Sequence, residues 1–388
     1  MNVVVDLERL KFRQCGLGQF SFHLGRALWA EANGEFQPTF LVPRAGSDEF
    51  DGSQSATISA SPWRKDVVTR WFRPLISMLP RMSKIDIWHV THQDSKYWPI
   101  DSRVPVVLTI HDLNFLREKS PPVIRRRLRR LQRKVFQAAT LTTGSEYSAR
   151  EIREHLDVGS KEIRVIPHGV CLERTVEPSR PSSLRGSRPY LFTIGDISPK
   201  KNFHVLVDLL VRLPEYSLVV AGSKTNEYAR DLERRAAELG MADRVVLPGR
   251  VSEAERLWLY QNCAAFVFPS LTEGFGLPLI EAMSFGRPVF SSNRTSLPEV
   301  GGSLAFYWES FEPESMAIVF RAGMRTYQAD AHYERKLRQR ADQFQWPRAA
   351  KQYVDLYREV AQQGVGVSPL PPGEVGRGSG RVRVKAAG

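Results

Sequence analysis

Cysteine is scarce in this chain: Cys15, Cys171 and Cys263 are the only three in 388 residues, and they lie far apart. An odd, scattered set argues against a disulfide framework and matches no zinc-ligand spacing. A reducing compartment is the simplest reading. Long apolar runs are missing as well, since none approaches the ~18–20 residues that a membrane-spanning helix needs. The opening MNVVVDLERLKF lacks the charged start, apolar stretch and cleavage site of a secretory signal. The expectation is a cytoplasmic protein, soluble or peripheral on the inner face of a membrane. No Asp-X-Asp pair is present to hold a metal, so neither a metal nor another cofactor is expected.

Acidic residues are outnumbered, 42 Asp and Glu against 55 Lys and Arg, which gives a net charge of +13. That excess suits an anionic partner and says nothing about fold. With 42% hydrophobic and 25% charged residues the composition is that of ordinary globular protein. It excludes a mostly disordered, collagen-like or coiled-coil chain. The length allows two or three domains at ~100–200 residues each.

Short apolar runs recur at Val3–Asp6, Phe40–Val42, Ile85–Val90, Val106–Ile110, Leu141–Thr143 and Ile163–Ile166. Helical patterns lie between several of them, among them Ser21–Ala30, which follows a loop and then Gly16 to Phe20. Strands alternating with helices predict a parallel α/β sheet. The segment 172–189, rich in Pro, Ser and Arg, reads as a linker. A second strand–helix series begins at Tyr190–Ile194 and continues through Ser217–Ala221, Arg244–Leu247, Ala265–Phe268 and Pro288–Ser291. Domains are therefore expected at 1–171 and 190–345, with a helix over 346–363 and a disordered Gly-, Pro- and Arg-rich tail over 364–388.

The densest chemical signal is Pro269-Ser-Leu-Thr-Glu273-Gly274-Phe275-Gly276-Leu277-Pro278-Leu-Ile-Glu281, which follows a buried strand and opens a helix. Glycines there let backbone approach a ligand, and a helix start favours an anion such as a diphosphate. Glu273 and Glu281 cannot bind phosphate and instead suit hydroxyls of sugar or ribose. The bland reading is a Gly-rich turn with a capping Glu. A second strand-to-helix turn, Gly195-Asp196-Ile-Ser-Pro-Lys200-Lys201-Asn202, places paired lysines where phosphate oxygens would be met, though either lysine alone reads as a solvated side chain. These turns and Gly249-Arg250-Val251 all follow strands, so they should converge at one carboxyl edge, where α/β sheets bind ligands.

These motifs resemble those of the retaining glycosyltransferases of family 4: Glu273 and Glu281 with seven residues between them, FTIGDISPKKN, Ile166-Pro-His168-Gly-Val170, Gly286-Arg-Pro-Val289 and Ser296–Gly302. Gly16-Leu-Gly18-Gln-Phe20, Thr109-Ile-His111-Asp-Leu113 and Thr143–Glu146 are similar too, more loosely, and the resemblance spans roughly 1–360. It implies a GT-B fold, two Rossmann-like domains, with a nucleotide-sugar donor in the carboxyl domain and a glycan or lipid-linked acceptor in the amino domain. By carry-over, Glu281 would bind the ribose, Glu273 the sugar ring, and the backbone of Gly274, Phe275, Gly276 and Leu277 sugar and phosphate. Lys201 would neutralise the leaving diphosphate. Gly195 and Lys200 belong to the same turn, and Arg250 and Val251 would lie near the base. Gly16 and Gly18 would approach the phosphates, and His111 the transferred sugar. Many relatives carry Arg where this chain has Asp196, a departure that Lys200 would offset.

The implied activity is a metal-independent retaining hexosyltransferase using a GDP- or UDP-linked sugar, in lipopolysaccharide or exopolysaccharide assembly. A nucleotide-sugar hydrolase or epimerase on the same fold, or a non-catalytic basic nucleotide-binding protein, are the other readings. His89 and His92 read as loop residues, His168 as a turn residue, and Cys15 as a small neutral one. The run Arg125–Lys134 reads either as a basic helix lying on an anionic membrane or as one packed by Leu128 and Leu131 with a solvated face. No nucleic-acid motif is present.

Overall fold

The computed structural model describes residues 1–13, 15–43, 56–59, 85–170, 172 and 176–363; the expected tail over 364–388 lies outside them. The chain forms two compact units. The first is Met1–Gly169 with the stretch from Trp346 onward, and the second is Val170–Gln345.

The first unit is built on seven parallel strands: β1 (Asn2–Asp6), β2 (Gln37–Val42), β3 (Ala56–Ser59), β4 (Ile87–Val90), β5 (Val106–Thr109), β6 (Thr140–Thr143) and β7 (Ile163–Val165). Their order is β3-β2-β1-β4-β5-β6-β7. The Val3–Val5 run in β1 and the four residues of β4 are buried, as expected for inner strands covered on both faces. Helix Gly16–Ala30 begins five residues before the helical stretch expected from Ser21. Gly is disfavoured inside helices, but the first turn tolerates it, and Cys15, exposed, is the N-cap. Gly18 is required for packing, since a β-carbon there would lie 2.1 Å from the Phe12 carbonyl oxygen.

Helix Trp346–Gln362 completes this unit's core. Its buried Tyr353, Tyr357 and Val360 pack with Val3, Val5, Phe36 and Phe40. A polar chain ties it to the sheet: His89 lies 2.7 Å from Tyr357 Oη through Nδ1 and 2.8 Å from Thr109 Oγ1 through Nε2, and Thr109 Oγ1 meets Thr142 Oγ1 at 2.7 Å. His89 is therefore a buried residue of β4 and not the loop residue expected. His168 is likewise buried, stacked at 6.2 Å on Trp346.

The second unit has six parallel strands: β8 (Tyr190–Ile194), β9 (Ser217–Ala221), β10 (Val245–Gly249), β11 (Ala265–Phe268), β12 (Val289–Ser292) and β13 (Ala305–Trp308). They run in the order β10-β9-β8-β11-β12-β13. The elements between β12 and Trp346 lie outside the sequence expectation, among them β13 and the helices Leu297–Gly301, Pro313–Ala329 and Tyr333–Ala341. The segment read as a linker packs onto this unit, with Leu184 in its core, the Ser179 N–H on Ala254 O at 3.1 Å, and Arg180 over the Trp258 ring.

Candidate functional site

In the second unit the turns leaving the strands are hydrogen-bonded side by side. Gly222 N–H donates to Gly249 O at 2.9 Å, Gly195 N–H to Ala221 O at 3.0 Å, and Leu271 N–H to Lys200 O at 2.8 Å. The turns after β10, β9, β8 and β11 thus form one carboxyl edge, the place where open α/β sheets bind ligands.

Lys201 and Glu273 meet at that edge. Lys201 Nζ lies 2.5 Å from Glu273 Oε1, and both side chains are largely shielded, with 11% and 15% exposure. Ser270 Oγ donates to the same carboxylate oxygen at 2.6 Å. The lysine ammonium also stands 4.8 Å from the centre of the Phe268 ring. The backbone around Glu273 is fixed from the turn after β12: its N–H donates to Thr295 Oγ1 at 3.0 Å, and Ser296 Oγ donates to its carbonyl at 3.1 Å. Thr295 adopts the left-handed conformation, φ 53°. That strain is a local cost which the Glu273 hydrogen bond helps to offset.

Gly276 caps helix Leu277–Ser284 with φ 113°, and a β-carbon there would also stand 2.7 Å from Leu297 Cδ2. Pro278 follows in the first turn, where its missing N–H costs nothing. Phe275 is buried with its ring against Phe344, so only its backbone can serve a ligand. Leu277 also packs on the core.

Glu281 is held on both oxygens. Arg256 Nη1 donates to Oε1 at 2.7 Å, and Tyr260 Oη donates to Oε2 at 2.6 Å. Burial and the neighbouring Glu281 carboxylate keep the Tyr260 phenol well above its usual range, so it remains a donor. Arg256 in turn grips both oxygens of Glu253. The helix that carries Arg256 and Tyr260, Glu253–Asn262, opens with a Ser252–Glu255 capping box. Arg250, exposed, and Val251, half-buried, follow Gly249 at the end of β10. Asp196 is exposed.

The first unit holds Gly16, Gly18 and His111. The His111 ring is buried, and its Nε2–H donates to Thr91 O at 2.9 Å. Burial lowers its pKa to about 4, so the ring is neutral at pH 7. Phe20 meets it edge-on at 4.5 Å, His168 at 5.4 Å and His92 at 5.7 Å. His92 Nδ1 accepts from the Asp94 N–H at 3.0 Å and lies 3.1 Å from Arg9 Nη2. His92 lies in the loop after β4, as expected, but is buried there, and burial, then the neighbouring His111, lowers its pKa to about 2. Asp6, at the end of β1, is pushed up to about 6 by burial, and it accepts from Ser95 Oγ and the Glu8 N–H.

Ser270, Thr295, Ser296, Arg256 and Tyr260 were not predicted. Arg256 and Tyr260 stand four apart in one helix, a spacing that puts them on one face. Lys134, expected on the solvated basic face, is buried and donates to Gln93 O at 3.0 Å and to Ser95 O. Among the described residues no cluster of three or more His, Cys, Asp or Glu is set to hold a metal.

Two Rossmann-like units, the second with a lysine, paired glutamates and a glycine-capped helix at its carboxyl edge, define the GT-B class of glycosyltransferase. Residues 16–174 match the model of Glycosyltransferase Family 4, and 176–317 that of the Glycosyl transferases group 1. The chain is 30% identical over 276 residues to D-inositol 3-phosphate glycosyltransferase of Paenarthrobacter aurescens, covering 66% of this chain and 67% of that protein. It belongs to glycosyltransferase family 4. It is also 30% identical over 237 residues to the serotype-specific mannosyltransferase WbdA of Escherichia coli, which is 56% of this chain but only 28% of that protein. Among solved structures, sucrose-phosphate synthase of Thermosynechococcus elongatus superposes with a TM-score of 0.72 at 18% identity, over 94% of this chain and 100% of that one. HepE of Anabaena in complex with UDP and glucose gives 0.69 at 16% identity, over 92% and 100%. Among the described residues no helix is long and apolar enough to cross a membrane.

Proposed function

We propose that this protein is a retaining hexosyltransferase that moves a sugar from a GDP- or UDP-linked donor to a glycan or lipid-linked acceptor, in assembly of a lipopolysaccharide or other surface polysaccharide. The observation that carries this reading is the Lys201–Glu273–Ser270 cluster, 2.5 and 2.6 Å apart, at the strand ends beside a glycine-capped helix start. The names of the mannosyltransferase relatives make mannose the first sugar to test.

In this reading the diphosphate lies against the start of helix Leu277–Ser284 and the ammonium of Lys201, with Lys200 beside it. Negative charge builds on the leaving phosphate as the anomeric carbon becomes oxocarbenium-like. A cation and helix-start dipole fixed there bind that state more strongly than the ground state. Lys201 thereby carries the charge that a metal would otherwise carry. Glu273 yields its lysine contact to the donor and accepts sugar hydroxyls. Glu281, aimed by Arg256 and Tyr260, accepts from the ribose. The departing phosphate takes the acceptor's proton, so the transfer needs no protein nucleophile. In the first unit neutral His111 has Nε2 committed to Thr91, which leaves Nδ1 as the ring nitrogen to accept from a sugar hydroxyl.

The test is release of nucleoside diphosphate from GDP-mannose and UDP-glucose in the presence of glycan acceptors, with and without EDTA, and proton NMR of the product's anomeric centre. Acceptor-dependent release, unaffected by EDTA and giving the donor's anomeric configuration, is expected. Inverted product or loss of turnover with EDTA would overturn the mechanism, and acceptor-independent release would point to a hydrolase.

A further inference from the structure

Helix Pro121–Gln137 is buried along one side through Ile124, Leu128, Leu131 and Val135. Its other side carries Arg125, Arg126, Arg127, Arg129, Arg130 and Arg133, all exposed, and the helix contains no acidic residue. Among the described residues none of the six forms an ion pair. Arg127 lies over the Phe115 ring at 5.5 Å, and Arg129 Nε reaches only the Arg125 carbonyl, at 3.5 Å. The pairs Arg125–Arg129, Arg126–Arg130 and Arg129–Arg133 are like charges four residues apart, a spacing that destabilises a helix.

Among the described residues no carboxylate pairs with this charge. Where the fold does need a cation on the same helix, at Lys134, the side chain turns inward onto backbone carbonyls. The arginine face also presents Phe136, 46% exposed, three residues beyond Arg133 and seven beyond Arg129, so on the same side. A single-sign face about 17 Å long with an outward aromatic is complementary to a flat anionic interface, where arginines meet lipid phosphates and the ring enters the headgroup boundary. We infer that this face docks the protein on a membrane rich in anionic phospholipid. The exposed ring among the arginines favours lipid over a nucleic-acid backbone, which would recognise the charge alone. The inference is independent of the donor-site reading, and its test reads no activity.

The experiment is co-sedimentation of the full chain with phosphatidylcholine vesicles, with and without phosphatidylglycerol, across a salt series. Binding is expected only with the anionic lipid, weakening as salt rises. Each arginine removed should lower partitioning about fivefold. The quadruple variant Arg126→Gln, Arg129→Gln, Arg130→Gln, Arg133→Gln should therefore remain in the supernatant with an unchanged or higher melting temperature. Phe136→Ser should weaken vesicle binding while leaving retention on heparin unchanged. Equal sedimentation of the quadruple variant and the parent would overturn the inference. So would binding of the parent to single-stranded RNA but not to the anionic vesicles.

Discussion

The Lys201 ammonium and the Glu273 carboxylate form a shielded ion pair at 2.5 Å, at the place where the proposed reaction needs positive charge for a diphosphate. Each satisfies the other, so in the proposed reaction an incoming anion must compete with Glu273 for the lysine. Glu273→Gln removes that competition with little change of shape. It should bind the free nucleoside diphosphate several-fold tighter while turnover falls. Lys201→Ala should lose both, with turnover down ~10²–10³-fold, the typical cost of removing one group aimed at developing charge. Calorimetric titration beside initial rates checks this. Weaker diphosphate binding in Glu273→Gln would mean that the pair does not compete with phosphate.

Tyr260 and Arg256 hold the Glu281 carboxylate from two sides. If that carboxylate receives the ribose hydroxyls, the parent should discriminate against a 2′-deoxynucleoside diphosphate. Tyr260→Phe should then weaken ribonucleotide binding about three- to tenfold, the size of one ordinary hydrogen bond, because Arg256 still holds Glu281, and leave the deoxynucleotide nearly unaffected. General damage to the fold would weaken both alike. The ratio of the two dissociation constants is therefore the informative readout.

The alternation of β-branched runs with helical stretches made the parallel sheets legible, and Lys201, Glu273 and Glu281 could be picked out because glycine and proline punctuate the turns around them. The residues that aim those groups were not legible. Arg256 and Tyr260 look like an ordinary surface pair on a helix until the turn after β11 brings Glu281 to them. Ser270, Thr295 and Ser296 act through hydrogen bonds between turns far apart in sequence. Lys134 is hidden in a basic run because two carbonyls of a distant loop decide which way it faces. His89 sits in a strand of four residues, all buried, which shows no alternation to betray it.

Two neighbouring glycines should answer differently to the same change. A methyl at Gly18 meets the Phe12 carbonyl at 2.1 Å, whereas one at Gly16 meets nothing within 4 Å. Gly18→Ala should destabilise the first unit by about 1–3 kcal/mol, the usual cost of overpacking. Gly16→Ala should be neutral or slightly stabilising, since alanine is the better helix former. Urea unfolding followed by tryptophan fluorescence checks the contrast. If Gly16→Ala is as stable as the parent but impaired in donor binding, the loss reports a site where a ligand approaches the backbone.

Acid should unfold the first unit through its buried histidines. Burial lowers His89 to about 3, His92 to about 2 and His111 to about 4, and His168 also falls well below its usual value. His111 lies beside the other three, and Arg9 and Lys134 add positive charge at His92. A histidine whose folded pKa lies below its unfolded value near 6.5 contributes stability that is complete above that value and is lost as pH falls. Asp6 works the other way: raised to about 6 from 3.8, it favours the fold most when protonated and loses that contribution as pH rises through this range. The four histidines outnumber it, so stability should drop steeply between pH ~6.5 and ~4, each histidine contributing about 1.4 kcal/mol per pH unit over its own window. Thermal melts at successive pH values should show this slope, and His92→Asn should flatten it. A melting temperature constant from pH 7 to 4.5 would mean that the histidines can take up protons inside the fold, and the lowered pKa assigned to His111 would be wrong.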